Sequence, residues 1–317
     1  MLQVNVIRKK NVATGICSFE LVLAEGGPLP AFEAGAHIDV HTPNGLIRQY
    51  SLCNDPAERD RYVISVLRDL NSRGGSDAMH GDVQQGQLLT ISEPRNLFPL
   101  AEEATRHLLF GGGIGITPIL AMAYELHNKG ADFELHYCYR SEDRAAFRSD
   151  LLSAPFSSRV KLHDDSGAQD QKLDAPALLA NPDGNTHLYV CGPNGFMNYV
   201  LDCAHEARWA PQCVHREFFA AEKIDTSADM SFEVELVSTG KIFLIPSDRT
   251  VFEVLDEAGI QIESSCEQGV CGTCVTRVIQ GIPDHRDQFF TAEEHAANDQ
   301  FTPCCSRART ARLVLDI

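Results

Sequence analysis

The 317-residue chain carries 27 Lys and Arg against 44 Asp and Glu, a formal charge of −17, with 44% hydrophobic residues, 23 Gly and 15 Pro. That length and soluble composition accommodate two or three domains with cores of their own and exclude a collagenous or largely disordered chain. The acidity repels phosphate backbones and anionic lipid, excluding nucleic acid as a partner, and no stretch reaches the roughly 18 uncharged apolar residues of a membrane span.

The first residues, MLQVNVIRKKN, lack an apolar core followed by a cleavage site, so the expected location is the cytoplasm. Eleven cysteines, an odd number without a secretory signal, point to metal or redox use rather than a disulfide framework.

From Val4 to about Leu100 the chain holds short β-rich runs divided by Gly, Pro and Asn: HIDVHT (37–42), LIRQYSL (46–52), RYVISVL (61–67) and QLLTIS (87–92). This predicts a small antiparallel barrel or sandwich. In RQYS (48–51), Arg48 and Tyr50 occupy alternate strand positions and point the same way, offering a cation for a phosphate and an aromatic edge for a ring system. The loop SRGGS (72–76) follows the VISVLRD strand and is suited to donate backbone N–H groups to a phosphate or flavin ring.

From about Thr105 strands and helices alternate, predicting a parallel α/β domain. HLLF runs into GGGIGITP (111–118), a glycine-rich strand-to-helix turn that lets a pyrophosphate approach the backbone at a helix N-terminus. The helix is expected to have Thr117 as N-cap, Pro118 at its first position, an apolar stripe of Ile119, Leu120, Ala123 and Leu126, and Gly130 past its end. FELHYCY, THLYVC and VHREFF follow as strands. The CGP turn (191–193) ends THLYV, so it and the first glycine turn are expected to face one crevice at the strand ends.

AAEKIDTSAD (220–229) is small, polar and without apolar periodicity, and reads as a linker. After it come strands SFEVELV (231–237) and KIFLIP (241–246), a helix VFEVLDEAG (251–259) and a cysteine-rich loop, predicting a compact α+β domain. Residues 228–317 are the acidic end, with 7 basic against 15 acidic side chains.

Cys266, Cys271 and Cys274 are spaced C-x4-C-x2-C, with further cysteines downstream in FTPCCSRA. Four thiolates at this spacing hold a 2Fe-2S cluster in plant-type ferredoxins. Gly269 and Gly272 lie between the ligands, where a loop must turn tightly and donate N–H groups to sulfur. Structural zinc prefers paired C-x2-C elements and here only one is present. Spacing alone leaves Cys304 and Cys305 open as the fourth ligand.

In this order, RQYS, GGGIGITP with CGP, and the C-terminal CEQGVCGTCVTRVIQGIPDHRD resemble the phthalate dioxygenase reductase family, and especially its vanillate O-demethylase reductase branch. SRGGS, EPRNLFPL (93–100) and HREFF (215–219) also resemble its pattern, so the likeness spans essentially the whole chain.

The resemblance implies an FMN-binding β-barrel over residues 1–102, an NAD-binding α/β domain over 103–222, a linker over 223–230 and a β-grasp 2Fe-2S domain over 231–317. Arg48, Tyr50 and Ser51 would contact the flavin and its phosphate, with Val66, Leu67, Gly74, Gly75 and Ser76 lining ring or phosphate. Thr117 would help hold the FMN phosphate, and Glu217 and Phe219 would lie beside the isoalloxazine. Gly112, Gly113, Gly115, Cys191, Gly192 and Pro193 would form the NADH site, with Cys191 near the nicotinamide; Cys191 and Glu217 are the catalytic candidates. Cys304 aligns with the fourth cluster ligand.

Near the expected nucleotide site, Arg140 and Arg144 would suit a 2′-phosphate, whereas Glu142, Asp143 and the HDDSG turn (163–167) would accept from a ribose diol; the resemblance favours NADH. NADH gives up electrons as a pair and a cluster takes them singly, so a flavin must stand between them. The expected partner is a Rieske non-heme iron terminal oxygenase acting on an aromatic acid or aryl ether. A general reductase serving another acceptor, such as a heme protein, is the other reading. Tethered domains pass electrons within one chain, so a monomer suffices.

Overall fold

The computed structural model describes residues 1–69, 74–219 and 226–317. Ser72 and Arg73 of the SRGGS motif, residues 220–222 at the end of the expected nucleotide domain and residues 223–225 of the expected linker lie outside them. Two compact units emerge, Met1–Phe219 and Ala220–Ile317. Among the described residues no helix is long and apolar enough to cross a membrane.

The first unit opens with strands β1 (Leu2–Ala13), β2 (Ile16–Leu23), β3 (Ala36–His41), β4 (Ile47–Ser51) and β5 (Tyr62–Leu67), a short helix α1 (Gly75–Gly81), and strands β6 (Leu88–Ile91) and β7 (Arg95–Asn96). They form one antiparallel sheet in the order β4-β3-β6-β1-β2-β5, with β7 paired to β3. An antiparallel bridge between Leu52 and Ile64 joins the two ends of that order. Period-two alternation drives the closure: Val4 and Val6, Phe19 and Leu21, Ile38 and Val40, Tyr62, Ile64 and Val66 all point into one core. Each such side chain contributes roughly 2 kcal/mol on leaving water.

The SRGGS motif departs from the expected loop. Gly74, at φ 101, turns the chain and Gly75 begins α1. Only glycine tolerates both demands, since a Cβ on Gly75 would stand 2.7 Å from Cγ of Arg48.

The same unit continues with β8 (Arg106–Gly112), α2 (Ile116–Asn128), β9 (Asp132–Tyr139), α3 (Arg148–Ser153), β10 (Val160–Asp164), α4 (Ala175–Leu179), β11 (Thr186–Cys191), α5 (Asn194–Glu206) and β12 (Val214–Glu217). The strands are all parallel in the order β10-β9-β8-β11-β12. Chain order reverses between β8 and β11. Helix α2 packs on the face bearing Leu109, Leu135 and Tyr189, and α5 on the face bearing Leu108, Phe110 and Val190.

Helix α2 starts earlier than its sequence suggests. A 3-10 turn over Gly113–Gly115 already bends the chain, Gly115 is the N-cap, and Thr117 and Pro118 are the second and third helical residues. Pro118 is still tolerated, because the third N–H of a helix has no intrahelical acceptor. Instead of a narrow stripe, Ile116 to Ala123 are all buried. Ala34 and Phe98 of the β-rich half pack on the same cluster, so the helix is covered from two sides. Ala34 N–H also donates to Glu125 Oε2 at 2.8 Å.

The second unit contains β13 (Phe232–Leu236), β14 (Ile242–Ile245), α6 (Val251–Glu257), β15 (Thr276–Gln280), β16 (Pro283–Asp284), α7 (Ala292–Ala297), β17 (Gln300–Phe301), β18 (Arg307–Ala308) and β19 (Arg312–Leu315). The main sheet runs β14-β13-β19-β15-β17, with β13 and β19 parallel, and β16 pairs β18. Helix α6, capped by a Thr250–Glu253 box, sets Val251 and Leu255 against Val234, Val278, Phe301 and Leu313. Arg286 grips Asp229 through two hydrogen bonds of 2.9 and 2.6 Å, and Arg307 donates to Met230 O at 3.0 Å, so residues 229 and 230 are fastened to this unit.

Candidate functional site

Two sets of residues carry the chemistry, one in each unit. In the first, β8 and β11 are neighbours at the point where strand order reverses, so their C-terminal turns lie side by side. Open parallel sheets bind ligands at that place, because flanking helices leave opposite faces and open a crevice between them.

The glycines there divide by role. A Cβ on Gly115 would stand 2.3 Å from the Cys191 carbonyl oxygen, and one on Gly112 or Gly192 would meet the Phe196 ring at 2.6 or 2.7 Å. These three let two backbones and an aromatic ring close on each other. Gly113 differs: its φ is 53 and nothing among the described residues lies within 4 Å of its Cβ position, so it offers open backbone to a ligand. Pro193 caps α5, and its carbonyl accepts from Phe196 and Met197 N–H. Thr117 is 2% exposed and its hydroxyl donates to Ile114 O at 3.0 Å, so it faces the preceding turn.

Cys191 and Glu217 are register partners on β11 and β12. Cys191 is fully buried, which raises its thiol well above the ordinary range, with the Glu217 charge adding to the effect. Glu217 is pushed up to about 8 by burial, and Ser51 Oγ donates to its Oε2 at 3.5 Å. At neutral pH this set is a thiol, a carboxylic acid and a hydroxyl, none charged. Phe219 is exposed at the end of the described segment, while Phe218 packs inward under Arg216.

On β4, Arg48 and Tyr50 face the side shared by Val40 and Ile38, as their alternation requires, and Ser51 faces the other. Arg48 lies along Gly75. Gly74 O accepts from the Asn44 amide and Ser76 Oγ from Asp69 N–H. The Val66 side chain is in the core and its carbonyl is 2.8 Å from His80 Nε2, so only its backbone edge is presented outward; Leu67 is exposed. Near the ends of β9 and β10, Asp143 accepts from Ser141 and Thr14, and Asp164 from Ser166.

In the second unit the thiols of Cys266 and Cys271 touch each other, as do those of Cys274 and Cys304. Two pairs of sulfurs are what two irons require. Cys271, Cys274 and Cys304 are buried, and Gln268 N–H donates to Cys266 Sγ at 3.3 Å. Gly269 and Gly272 have φ of 73 and 69, and a Cβ on either would collide with Cys305 Sγ or the Phe289 ring. Soft paired sulfurs, left-handed glycines and backbone donors fit an iron-sulfur cluster. Cys305 also touches Cys304, and its Sγ lies 3.2 Å from Thr302 Oγ1 and 3.8 Å from Ser306 Oγ, so hydroxyls as well as a thiol hold it.

Asp287, which sequence reading passed over, ties the two halves of this set together. Its carboxylate accepts from Phe289 and Phe290 N–H at 3.2 and 2.9 Å, with Thr302 and Ser306 hydroxyls at 3.5 Å. The PDHRD motif was its only sequence signal.

Residues 234–309 match the family model of the 2Fe-2S iron-sulfur cluster binding domain. The chain is 57% identical to a vanillate O-demethylase oxidoreductase from Pseudomonas sp. over 100% of both chains. The solved structure of a phthalate dioxygenase reductase, described as modular for electron transfer from pyridine nucleotides to [2Fe-2S], is 41% identical with a TM-score of 0.78, covering 100% of this chain and 98% of that one. An intact self-sufficient cytochrome P450 monooxygenase contains a region matching 100% of this chain and 41% of its own, at 37% identity and a TM-score of 0.85.

Proposed function

The chain belongs to the phthalate dioxygenase reductase family, and from that premise we propose that it carries electrons from NADH through FMN to a 2Fe-2S cluster and on to a Rieske-type non-heme iron oxygenase. The paired thiols of Cys266 with Cys271 and Cys274 with Cys304, inside the segment matched by the iron-sulfur domain, carry this reading. The closed antiparallel sheet is read as the flavin barrel, the parallel sheet as the NAD domain, and the β13–β19 sheet with α6 as a β-grasp ferredoxin.

Bound FMN would supply the conversion between the electron pair of a nicotinamide and the single electrons a cluster accepts. The chain's part is placement and exclusion of water. Arg48 and the N–H groups of Gly74, Gly75 and Ser76 are assigned to the flavin phosphate, with Thr117 beside them, and Tyr50, Val66 and Leu67 to the ring. Ser51 and protonated Glu217 are assigned to the flavin edge, beside Phe219. Cys191, kept neutral by burial, supports the nicotinamide without competing as a nucleophile. Gly113 is assigned to the dinucleotide phosphates, with Gly112, Gly115, Gly192 and Pro193 shaping the crevice. The carboxylates after β9 and β10 favour NADH over a 2′-phosphate. All stations reside in one chain, which supports a monomer.

The likeness to the 57%-identical relative supports an aryl ether demethylase as the terminal partner. A heme acceptor is the competing reading, favoured by the match within the P450 chain. The test is reconstitution with NADH and either a purified Rieske vanillate demethylase component or a P450 heme domain. Formaldehyde release from vanillate with the first alone is expected. Turnover only with the heme domain would overturn the assignment.

A further inference from the structure

In the second unit, next to the cysteine loop, lie three more side chains of metal-ligating type. His285 follows β16, Asp287 comes two residues later and His295 lies on α7. One ligand atom from each lies within 4.8 Å of the others. The two imidazoles pack with centroids 4.4 Å apart. His295 Nε2 is 3.1 Å from Asp287 Oδ2, and His285 Nδ1 is 3.8 Å from Oδ1.

A second observation points to a ligand at this place. The His285 side chain is 8% exposed, and among the described residues neither ring nitrogen has a well-formed hydrogen bond, although the Asn298 side chain approaches the ring. An imidazole buried in that way is disfavoured unless something satisfies it. The Asp287 side chain is wholly buried and fixed by the two backbone N–H groups and two hydroxyls already described.

We propose that His285, Asp287 and His295 bind one divalent cation of the zinc class. Two imidazoles and a carboxylate suit a borderline ion, whereas calcium and magnesium prefer an all-oxygen shell. The Asn298 side chain also approaches His285; its amide nitrogen donates to Ala296 O at 3.0 Å, which leaves its oxygen for a fourth position. Asp287 Cα stands 3.1 Å from where a Cβ on Gly269 would be, so the ion would lie beside the loop carrying Cys266 and Cys271. A positive charge there raises the reduction potential of the cluster, a consequence that rests on the cluster reading above.

The test uses the full-length flavin- and iron-loaded protein equilibrated with micromolar Zn2+, desalted, and assayed for zinc, iron and flavin per chain. One zinc is expected with no iron lost. His285→Gln and the more exposed His295→Gln should each weaken zinc binding at least about 10-fold at unchanged iron and flavin. The cluster potential should rise with zinc in the parent protein and stay put in both variants. Absence of zinc in the parent, equal zinc in the variants, or zinc gained in step with iron lost would overturn the proposal. Zinc lost in the variants of a protein that never holds iron would instead sink the cluster reading and leave this site standing.

Discussion

Ser51 and Glu217, 166 residues apart, meet across 3.5 Å, hydroxyl to carboxylate oxygen, where the end of the β-rich half faces the last parallel strand. Burial raises Glu217 to about 8 and the Ser51 hydroxyl only partly counters it. The carboxyl therefore holds its proton at neutral pH and releases it in mild alkali.

Flavin reduction by NADH, followed by stopped-flow absorbance, should decline as pH rises through about 8. Glu217→Gln, which mimics the protonated acid, should keep most of the neutral-pH rate and lose that alkaline decline. A decline that persists in the variant would assign it to another group.

The two classes of glycine should separate in one experiment. Gly115→Ala places a Cβ 2.3 Å from a carbonyl oxygen and should destabilise by about 3 kcal/mol. Gly113→Ala meets no atom and should cost only about 1 kcal/mol, for its left-handed backbone, yet weaken NADH binding about 10-fold. Urea unfolding and NADH titration measure the two effects separately; equal NADH affinity in Gly113→Ala and the parent would remove Gly113 from the site.

Cys304→Ser should abolish the iron-sulfur absorbance and leave the flavin bands intact, because one sulfur pair is broken. Cys305→Ser should retain full iron content, since a serine hydroxyl can keep the contacts to Thr302 and Ser306. The opposite result would exchange their roles.

Buried histidines in the parallel domain should make the fold acid-sensitive. Burial lowers His107 and His215 to about 4 and His136 to about 3. Each is about 6.5 when unfolded, so between those values only the unfolded chain takes up the proton. Stability therefore falls as pH drops below about 6.5 and levels off near the folded values. Thermal midpoints from pH 7.5 to 4.5 should show this loss, and His107→Asn should lessen its slope relative to the parent; identical slopes would clear His107 of the effect.

Features that depend on neighbours along the chain are legible before any contact is known. The C-x4-C-x2-C spacing, the glycine turns at strand ends and the period-two runs around RQYS are local, so they could be read before any contact was known. Even there, the helix after GGGIGITP begins at Ile116, because the turn is already complete by Gly115. Which distant residues meet is set by how whole elements pack. The strand order sets the two glycine turns beside each other, and Cys304 lies against Cys274 and Cys305, whose thiol also meets two hydroxyls. Packing likewise places Glu217 against Ser51, and His295 beside His285 and Asp287. Such contacts arise from packing whole elements on shared cores, and neither spacing nor periodicity along the chain encodes which side chains those cores bring face to face.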